Sequence, residues 1–436
     1  MMNELDLYRT ERLIDFIANS PVSYLAIKNA VRMLGENGYI PYHFGDTFVS
    51  GGKYYITRNG SSVLAFRLPE SVPNGFMITA SHSDSPLFML KPDYTVKACD
   101  RYCKLNTEVY GGGIYSSWFD RPLSIAGRVV VRDKGAFKTI PFSIDRDLCL
   151  IPNTCIHFNR EINSGYSYNP AVDTLPLFGT WDDRPILQEM IACTVGVPID
   201  SILSSDLFLY NRMRGTIFGA DNAFFAAPRI DDQQCAFSTL TAFLETAGTN
   251  GSVPVCAIFD NEEVGSSTKQ GAASDLLRDT LNAIAGHYNV ALSSLLRSSL
   301  LLSCDNAHAM HPNHPELSDK QNAPHMNEGI VIKHNANQKY TTDAVSEALF
   351  TEICRQANVP VQHFSNRSDI RGGSTLGSIA SARVSMNAID IGLAQLAMHS
   401  SYETAGTKDT AYLIDACKAF FSHSIQCEAD GMYRLL

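Results

Sequence analysis

The chain has 436 residues, of which 45% are hydrophobic, and this length predicts one large core together with an insertion or a second domain. Acidic residues outnumber basic residues by 45 to 35, and the net charge of -10 leaves no basic surplus for nucleic acid or anionic lipid. The eleven Cys are scattered without a C-x-x-C pair, and no run of 18 apolar residues occurs. We therefore expect reduced thiols in a cytoplasmic protein that acts on small molecules or peptides and does not enter a membrane.

The first 40 residues predict two helices. Leu13, Ile14 and Ile17 form an apolar stripe at helical spacing, and Ser20-Pro21 predicts an N-cap followed by Pro in the first turn of the second helix. Short strands are then predicted at residues 54–56 and 63–68.

The middle of the chain has a different pattern. Between about residues 91 and 227, alternating segments such as 125–131 predict β-structure, punctuated by Gly111-Gly-Gly113 and several prolines. From residue 228 onward, apolar runs at residues 253–259, 300–304 and 384–391 alternate again with helical patterns. Because candidate site residues lie on both sides of the middle segment, we predict a discontinuous catalytic domain (residues 1–90 and 228–436) interrupted by a β-rich domain (residues 91–227).

Two adjacent carboxylates, Glu262 and Glu263, follow the apolar run at residues 253–259. One acid could bind a metal ion while its neighbour moves protons, although a Glu pair alone is usually a solvated loop end. Further candidates that follow predicted strands or open a predicted helix are His82, Asp231, Asp305 and His399. In open α/β sheets, ligands bind beyond the carboxyl ends of the strands, where residues that are distant in sequence can converge.

These residue types suit a pair of zinc ions. A mixed set of His nitrogen and carboxylate oxygen ligands fits two ions roughly 3.5 to 4 Å apart when one carboxylate bridges them. Asp231 is the natural candidate for the bridge. Asp84 could hydrogen-bond to the second ring nitrogen of His82, or it could simply cap a turn. Glu262, left uncoordinated, is then the candidate that takes a proton from water and delivers it to a leaving amine.

Several ordered motifs carry a resemblance to a known family. They are Ser81-His-Ser-Asp-Ser-Pro86, Pro228-Arg-Ile-Asp231, Asp260-Asn-Glu-Glu-Val-Gly-Ser266, Ser303-Cys-Asp-Asn-Ala-His-Ala-Met-His-Pro-Asn313, Lys333-His-Asn-Ala-Asn-Gln-Lys-Tyr340, Gly372-Gly-Ser-Thr-Leu-Gly377 and Ala397-Met-His-Ser400. With these motifs the chain resembles, nearly end to end, the aspartyl aminopeptidase and vacuolar aminopeptidase I family of co-catalytic dizinc exopeptidases.

This resemblance implies a fold and a set of metal ligands. The fold would be α/β, with a three-layer α/β/α zinc-exopeptidase-like catalytic domain and an inserted β-rich dimerisation domain. Each subunit would hold two Zn²⁺, with Mn²⁺ or Co²⁺ as alternatives. His82 and Asp305 would complete one site, Glu263 and His399 the other, and Asp231 would bridge the two.

The same resemblance implies an activity and an assembly. The protein would hydrolyse the amino-terminal residue from short peptides, with Glu262 as general base and acid. The inserted domain would form dimers that assemble into a tetrahedral dodecamer. His157 would reach the active site of a neighbouring subunit and stabilise the tetrahedral oxyanion there.

Five residues are candidate substrate contacts: His308, Lys333, Asp369, Gly372 and Gly373. Lys333 in a specificity pocket would favour an acidic amino-terminal side chain, but it could also be a surface residue or pair with Asp369. Two departures from the family pattern bear on the site. Asp232 follows Asp231 where the family usually has Asn, and Arg371-Gly-Gly-Ser374 stands where a Pro-Cys-Gly type sequence is often found.

Two other classes of function are open at this point. An N-deacylase or a carboxypeptidase would use the same water-activating chemistry on the same dimetal architecture. A non-catalytic assembly protein would be expected to have lost a ligand or the base, whereas all six positions are filled here.

Overall fold

The computed structural model describes residues 3–248 and 250–436. Its α-helices are α1 (Glu4–Ala18), α2 (Ser23–Glu36), α3 (Ile186–Val195), α4 (Ile230–Glu245), α5 (Leu276–His287), α6 (Leu292–Leu296), α7 (Ala344–Gln356), α8 (Leu376–Arg383) and α9 (Asp409–Ser422). Its strands are β1 (Ile40–Pro41), β2 (Lys53–Arg58), β3 (Ser62–Arg67), β4 (Phe76–His82), β5 (Leu87–Ala98), β6 (Tyr102–Tyr110), β7 (Leu123–Asp133), β8 (Ala136–Ser143), β9 (Leu177–Thr180), β10 (Ile202–Asn211), β11 (Thr216–Phe218), β12 (Phe224–Ala227), β13 (Val253–Phe259), β14 (Leu300–Cys304), β15 (Ala307–His308), β16 (Ile330–His334), β17 (Val361–Ser365), β18 (Asn387–Gly392), β19 (Ala394–Leu396), β20 (Glu403–Gly406), β21 (Ile425–Ala429) and β22 (Met432–Leu435).

The largest sheet has nine strands in the order β1-β2-β3-β13-β4-β14-β18-β16-β17. Strands β13, β4, β14 and β18 run parallel to one another in its centre. The first three of these are buried along their whole length, as is typical of parallel strands that are covered by helices on both faces. Strands from before and after the middle segment therefore share this sheet.

Alternate residues of the central strands pack into two separate cores. In β13, Val255 and Ala257 belong to the core that includes α5, α6 and α8, because successive strand residues point to opposite faces. Cys256 and Ile258 belong to the other core, which includes α1, α2, α4, α7 and α9. The molecule thus has helix, sheet and helix layers, and the predicted three-layer α/β/α class is confirmed.

The middle segment builds most of a second, antiparallel sheet with six strands in the order β8-β7-β10-β5-β6-β9. Its own apolar core includes residues of α3. Strand β5 begins at Leu87, shortly before the predicted start of the segment at residue 91. Strands β11 and β12 instead join β20, β19 and β15 in a five-stranded sheet. The predicted division at residue 227 therefore falls within a region that shares a sheet with the carboxyl-terminal part.

The predicted start of the second helix is wrong. Helix α2 begins at Ser23, and its N-cap, Val22, makes no side-chain capping bond. The hydroxyl of Ser20 instead accepts a hydrogen bond from Asn29, and its carbonyl accepts one from Gln233. Ser20 is therefore engaged in tertiary contacts rather than in capping. No helix in residues 3–248 and 250–436 is both long enough and apolar enough to cross a membrane.

Candidate active site and metal centre

Parallel strands bring several predicted ligands to one edge of the nine-stranded sheet. His82 is the last residue of β4 and pairs with Phe259, the last residue of β13. On the other side of β4, strand β14 ends at Cys304, and Asp305 follows directly. Because these strands are parallel, their carboxyl ends lie side by side.

Glu262 and Glu263 lie in a tight turn that follows β13. The amide of Gly265 donates to the carbonyl of Glu262 at 2.9 Å, and the amide of Ser266 donates to the carbonyl of Asn261 at 2.7 Å. Gly265 has a φ of +92°, which a residue with a Cβ atom adopts only at a cost. The turn therefore holds the two acids in fixed positions at the end of β13.

Two further predicted ligands come from outside the central strands. Asp231 lies at the start of α4, and its amide donates to Oε2 of Glu403 at 3.1 Å. His399 follows β19 with a φ of +68°, and its amide donates to Oε1 of Glu403 at 2.7 Å. Glu403 is buried. One buried carboxylate thus fixes the backbone of both residues.

The side chains form two groups that share Asp231. The groups are His82, Asp231, Asp232 and Asp305, and Asp231, Glu263 and His399, with ligand atoms within 4.8 Å of one another in each. Nε2 of His82 lies 3.5 Å from Oδ1 of Asp231, whereas Nε2 of His399 lies 3.2 Å from its Oδ2. The two oxygens of Asp231 therefore face different groups, as the oxygens of a bridging ligand do.

The chemistry of the centre fits a pair of cations. Oδ1 of Asp231, Oδ1 of Asp232 and Oε1 of Glu263 are buried and have no hydrogen-bond partner among the described residues. A buried carboxylate oxygen without a partner is costly, and a metal ion can satisfy it. Burial disfavours the imidazolium of His399, but Asp231 and Glu263 outweigh this effect and raise its pKa to about 10. The site thus attracts positive charge, and its nitrogen and oxygen donors suit Zn²⁺.

Asp84 connects His82 to the turn that carries the two glutamates. The backbone carbonyl oxygen of Asp84 lies 3.1 Å from Nδ1 of His82, and its Oδ1 lies 3.3 Å from the same nitrogen. Its carboxylate also accepts hydrogen bonds from the amides of Glu262 at 3.1 Å and Glu263 at 3.2 Å, and from the hydroxyl of Tyr110 at 2.7 Å. Asp84 therefore caps the turn that carries the two glutamates and also lies against His82, so it positions a predicted ligand and the predicted base together.

Gly112 and Glu403 are supporting residues that were not predicted from the sequence, whereas Asp232 was noted there as a departure that bears on the site. Asp232 is buried, accepts a hydrogen bond from the amide of His82 at 3.1 Å and extends the first ligand group. The carbonyl of Gly112 lies 2.9 Å from Nδ1 of His399. The run Gly111-Gly-Gly113 was the sequence signal for this close approach of the backbone to the ligands. A Cβ atom at Gly111 would lie only 3.1 Å from Cβ of Glu263.

A cavity of about 280 Å³ opens onto the centre. Its lining residues are His82, Asp231, Glu262, Asp305, Asn306, Ala307, His308, Lys333, Tyr340, Phe364, Gly373, Ser374, Thr375, Met398 and His399. The predicted substrate contacts His308, Lys333 and Gly373 are thus part of its wall. Lys333 is buried, with Nζ 3.5 Å from Oδ1 of Asp305 and donating to the carbonyl of Asn306 at 2.8 Å.

Three predicted site residues, Asp369, Gly372 and His157, belong neither to the cavity wall nor to the ligand groups and Asp84 described above. Asp369 is exposed, and its two oxygens accept hydrogen bonds from Arg367 at 2.6 and 2.7 Å, so the expected alternative pairing with Lys333 is wrong. Gly372 is packed against the side chain of Asn366, which a Cβ atom at this position would meet. His157 is exposed in a turn between β8 and β9 and does not line the cavity of its own subunit.

Comparison with known proteins identifies the family. The model of the aminopeptidase I zinc metalloprotease family, M18, matches residues 16–421. The chain belongs to this family. The probable M18 family aminopeptidase 2 of Clostridium acetobutylicum is 43% identical over 435 residues, which cover 97% of this chain and 100% of that protein.

Solved structures superimpose over nearly the whole chain. The cryo-EM structure of Ape4 with Nbr1 matches with a TM-score of 0.93 at 32% identity and covers 97% of this chain and 87% of that one. The dodecamer of mApe1 from S. cerevisiae matches with a TM-score of 0.85 at 27% identity and covers 97% and 98% of the two chains. This M18 chain is a zinc metalloaminopeptidase. The aminopeptidase predicted from the motifs is therefore confirmed, in preference to an N-deacylase, a carboxypeptidase or a non-catalytic protein.

Proposed function

We propose that this M18 aminopeptidase holds two zinc ions between the residues of the two groups. His82 and Asp305 would bind one ion, Glu263 and His399 would bind the other, and Asp231 would bridge them. The observation that carries this assignment is that the two oxygens of Asp231 face different imidazoles. When bound, the zinc ions supply Lewis acidity towards the scissile carbonyl and lower the pKa of water.

Glu262 is the proposed general base and acid. It lines the cavity but belongs to neither ligand group, which leaves its carboxylate free to accept a proton from water and to pass it to the leaving amine. Asp84 accepts a hydrogen bond from the Glu262 amide and so keeps the turn, and with it the base, beside the ligands. Exact placement of a base within hydrogen-bonding reach of its proton is what this catalysis requires.

The activity is tested with matched peptides that carry a free amine, an acetylated amine or an amidated carboxyl terminus. We expect release of the first residue from the free-amine and amidated peptides, and none from the acetylated peptide. A chelator should abolish the activity and zinc should restore it. Hydrolysis of the acetylated peptide would contradict the assignment, as would a requirement for a free carboxyl terminus.

We extend the proposal to a preference for acidic amino-terminal residues. Lys333 contributes an ammonium group to the cavity wall, and His308 lies in the same wall. A charged hydrogen bond to substrate is worth about tenfold or more in affinity, so Lys333→Met should lower kcat/KM for Glu- and Asp-peptides by that factor relative to Leu-peptides. An unchanged ratio across the panel would remove Lys333 as the determinant.

We also propose the discontinuous domain arrangement and the tetrahedral dodecamer. The segment of residues 91–227 would form dimers, and His157 would reach a neighbouring active site. Exposed apolar side chains on either side of His157 support this, since Ile156 is 48% and Phe158 is 87% exposed. The dodecamer of mApe1 is a further support. A cytoplasmic location is supported by eleven cysteines that are all free thiols.

A further inference from the structure

A separate cluster of metal-binding side chains lies outside the active site. Nε2 of His363 is 2.8 Å from Oε1 of Glu347, and Nε2 of His334 is 3.8 Å from the same oxygen. The two imidazole rings have centroids 5.6 Å apart. One ligand atom from each of the three residues lies within 4.8 Å of the others. The three side chains are therefore close enough to one another to bind a single ion.

Regular elements, rather than loops, hold this cluster. Strands β16 and β17 are parallel, with Ile332 opposite His363, so Ile332, His334 and His363 project from the same face. Glu347 lies near the start of α7, three residues before Phe350, and both Phe350 and Ile332 belong to the core beneath. The three side chains therefore sit at the rim of a packed helix–sheet interface and keep their mutual positions.

The chain neighbours of the two histidines face the catalytic cavity. Lys333 directly precedes His334, and Phe364 directly follows His363. Both Lys333 and Phe364 line the cavity. Because adjacent strand residues point to opposite faces, the cluster lies on the reverse side of the two strands that form this part of the cavity wall. A metal ion there would brace β16 and β17 against α7.

The donor set and the two histidine–glutamate distances suit zinc. Two imidazoles, one carboxylate and an open fourth position form a donor set that Zn²⁺ uses in proteins. With metal–ligand distances of about 2.0 Å in a tetrahedron, ligand atoms lie about 3.3 Å apart, so the pair at 2.8 Å would open slightly and the pair at 3.8 Å would close slightly. Side-chain exposures of 32%, 28% and 47% for His334, Glu347 and His363 leave a path for entry.

We propose that His334, Glu347 and His363 form a third zinc site, with its fourth position open to water or another small ligand. The site is independent of the peptide substrate and of the roles assigned to the catalytic residues. Its occupancy should add one zinc ion per subunit to those of the catalytic centre and should stabilise the folded protein by mass action.

The test is a zinc count on the full-length enzyme. Wild type, His363→Gln and Glu347→Gln are equilibrated at the same buffered free zinc concentration, and bound metal is measured by plasma mass spectrometry. We expect one zinc fewer per subunit in each variant than in wild type, with aminopeptidase activity retained. Further zinc should raise the thermal unfolding midpoint of wild type but not of the variants.

His423→Gln is the matched control. His423 is also a partly buried histidine beside α7, but it contacts the amide side chain of Gln356 at 3.0 Å. This variant should bind as much zinc as wild type. Equal zinc content in wild type and either folded cluster variant would overturn the site, whereas absent peptidase activity in every protein would count only against the catalytic proposal. Having two variants guards against the misfolding of one.

Discussion

Glu262 and Glu263 are adjacent in the chain but have different surroundings. Oε2 of Glu263 lies 3.5 Å from Nε2 of His399 within the second ligand group, whereas Glu262 belongs to neither group. Burial raises the pKa of Glu262 to about 8, and Asp305 and Asp231 add to this effect. Cations bound nearby act in the opposite direction, so filled zinc sites would leave this carboxylate ready to accept a proton at neutral pH.

Glu262→Gln should therefore lose turnover but keep its metal. We expect kcat to fall by about 100- to 10,000-fold, the usual contribution of a general base, while the zinc content stays that of wild type. Glu263→Gln is the comparison, because loss of a ligand should deplete zinc. Steady-state kinetics at saturating zinc and a metal count on both variants separate the two roles. Wild-type turnover by Glu262→Gln would exclude it as the base.

Glu403 supports two proposed ligands without belonging to either group. In Glu403→Gln, an amide NH₂ would face one of the two backbone amides, of Asp231 and His399, that now donate to its oxygens. We expect the apparent zinc affinity to fall by about 10- to 100-fold, as for other supporting residues of metal sites, with kcat recovering at high zinc. Activity titrated against buffered free zinc measures this shift. Glu428→Gln, which alters an ion pair with Arg434, should leave the curve unchanged.

At the level of elements, the strands that carry the ligands are predictable from the sequence. The apolar runs at residues 253–259 and 300–304 have the same bounds as β13 and β14. Each run is followed by an acid, and parallel register then brings the ends together. Local patterns thus suffice to predict these two strands and the acids that follow them, but not the order of the strands in the sheet.

The contacts that orient those residues are not predictable in this way. His399 and Gly112 are 287 positions apart, and Glu262 and Asp84 are 178 apart. Such pairs depend on how one sheet packs against another, which periodicity does not encode. For Asp369 a distant pairing with Lys333 was expected, but the actual partner is local. Arg367, only two residues away, donates a hydrogen bond to the carboxylate of Asp369.

Gly111 tests how closely the β-rich segment approaches the centre. It has a φ of +73°, and a Cβ atom there would lie 3.1 Å from Cβ of Glu263. Gly135, in the β7–β8 turn, has a φ of +88° with nothing within 4 Å of the added atom. Both alanine substitutions strain the backbone, by about 1 kcal/mol each, but only Gly111→Ala presses on a proposed ligand.

We expect Gly111→Ala to lower kcat/KM and zinc affinity, and Gly135→Ala to lower only the thermal midpoint. Kinetics and zinc titrations on both variants, with unfolding midpoints for reference, make the comparison. Equal activity in the two would show that the approach of Gly111 to Glu263 has no bearing on the site.

At the scale of the whole molecule, the β-rich segment does not place His157 in the wall of the cavity of its own subunit. The residue is exposed, and its neighbours Ile156 and Phe158 expose apolar surface. In a symmetric dimer, if a loop of one subunit contacts its partner, the same loop of the partner contacts the first subunit in the same way. If His157 acts across such an interface, each active site is complete only in the assembly.

Mixing two inactive variants tests this directly. His157→Phe removes the proposed oxyanion donor and should cost about 100- to 1,000-fold in kcat, and Glu262→Gln removes the base. In a mixed dimer, the Glu262→Gln subunit would lend its His157 to the partner, which keeps its Glu262. Random reassociation makes half of the dimers mixed, each with one complete site, so activity should return to about a quarter of the wild-type value. The two variants reassociated separately are the controls, and a mixture no more active than they are would place His157 outside any neighbouring site.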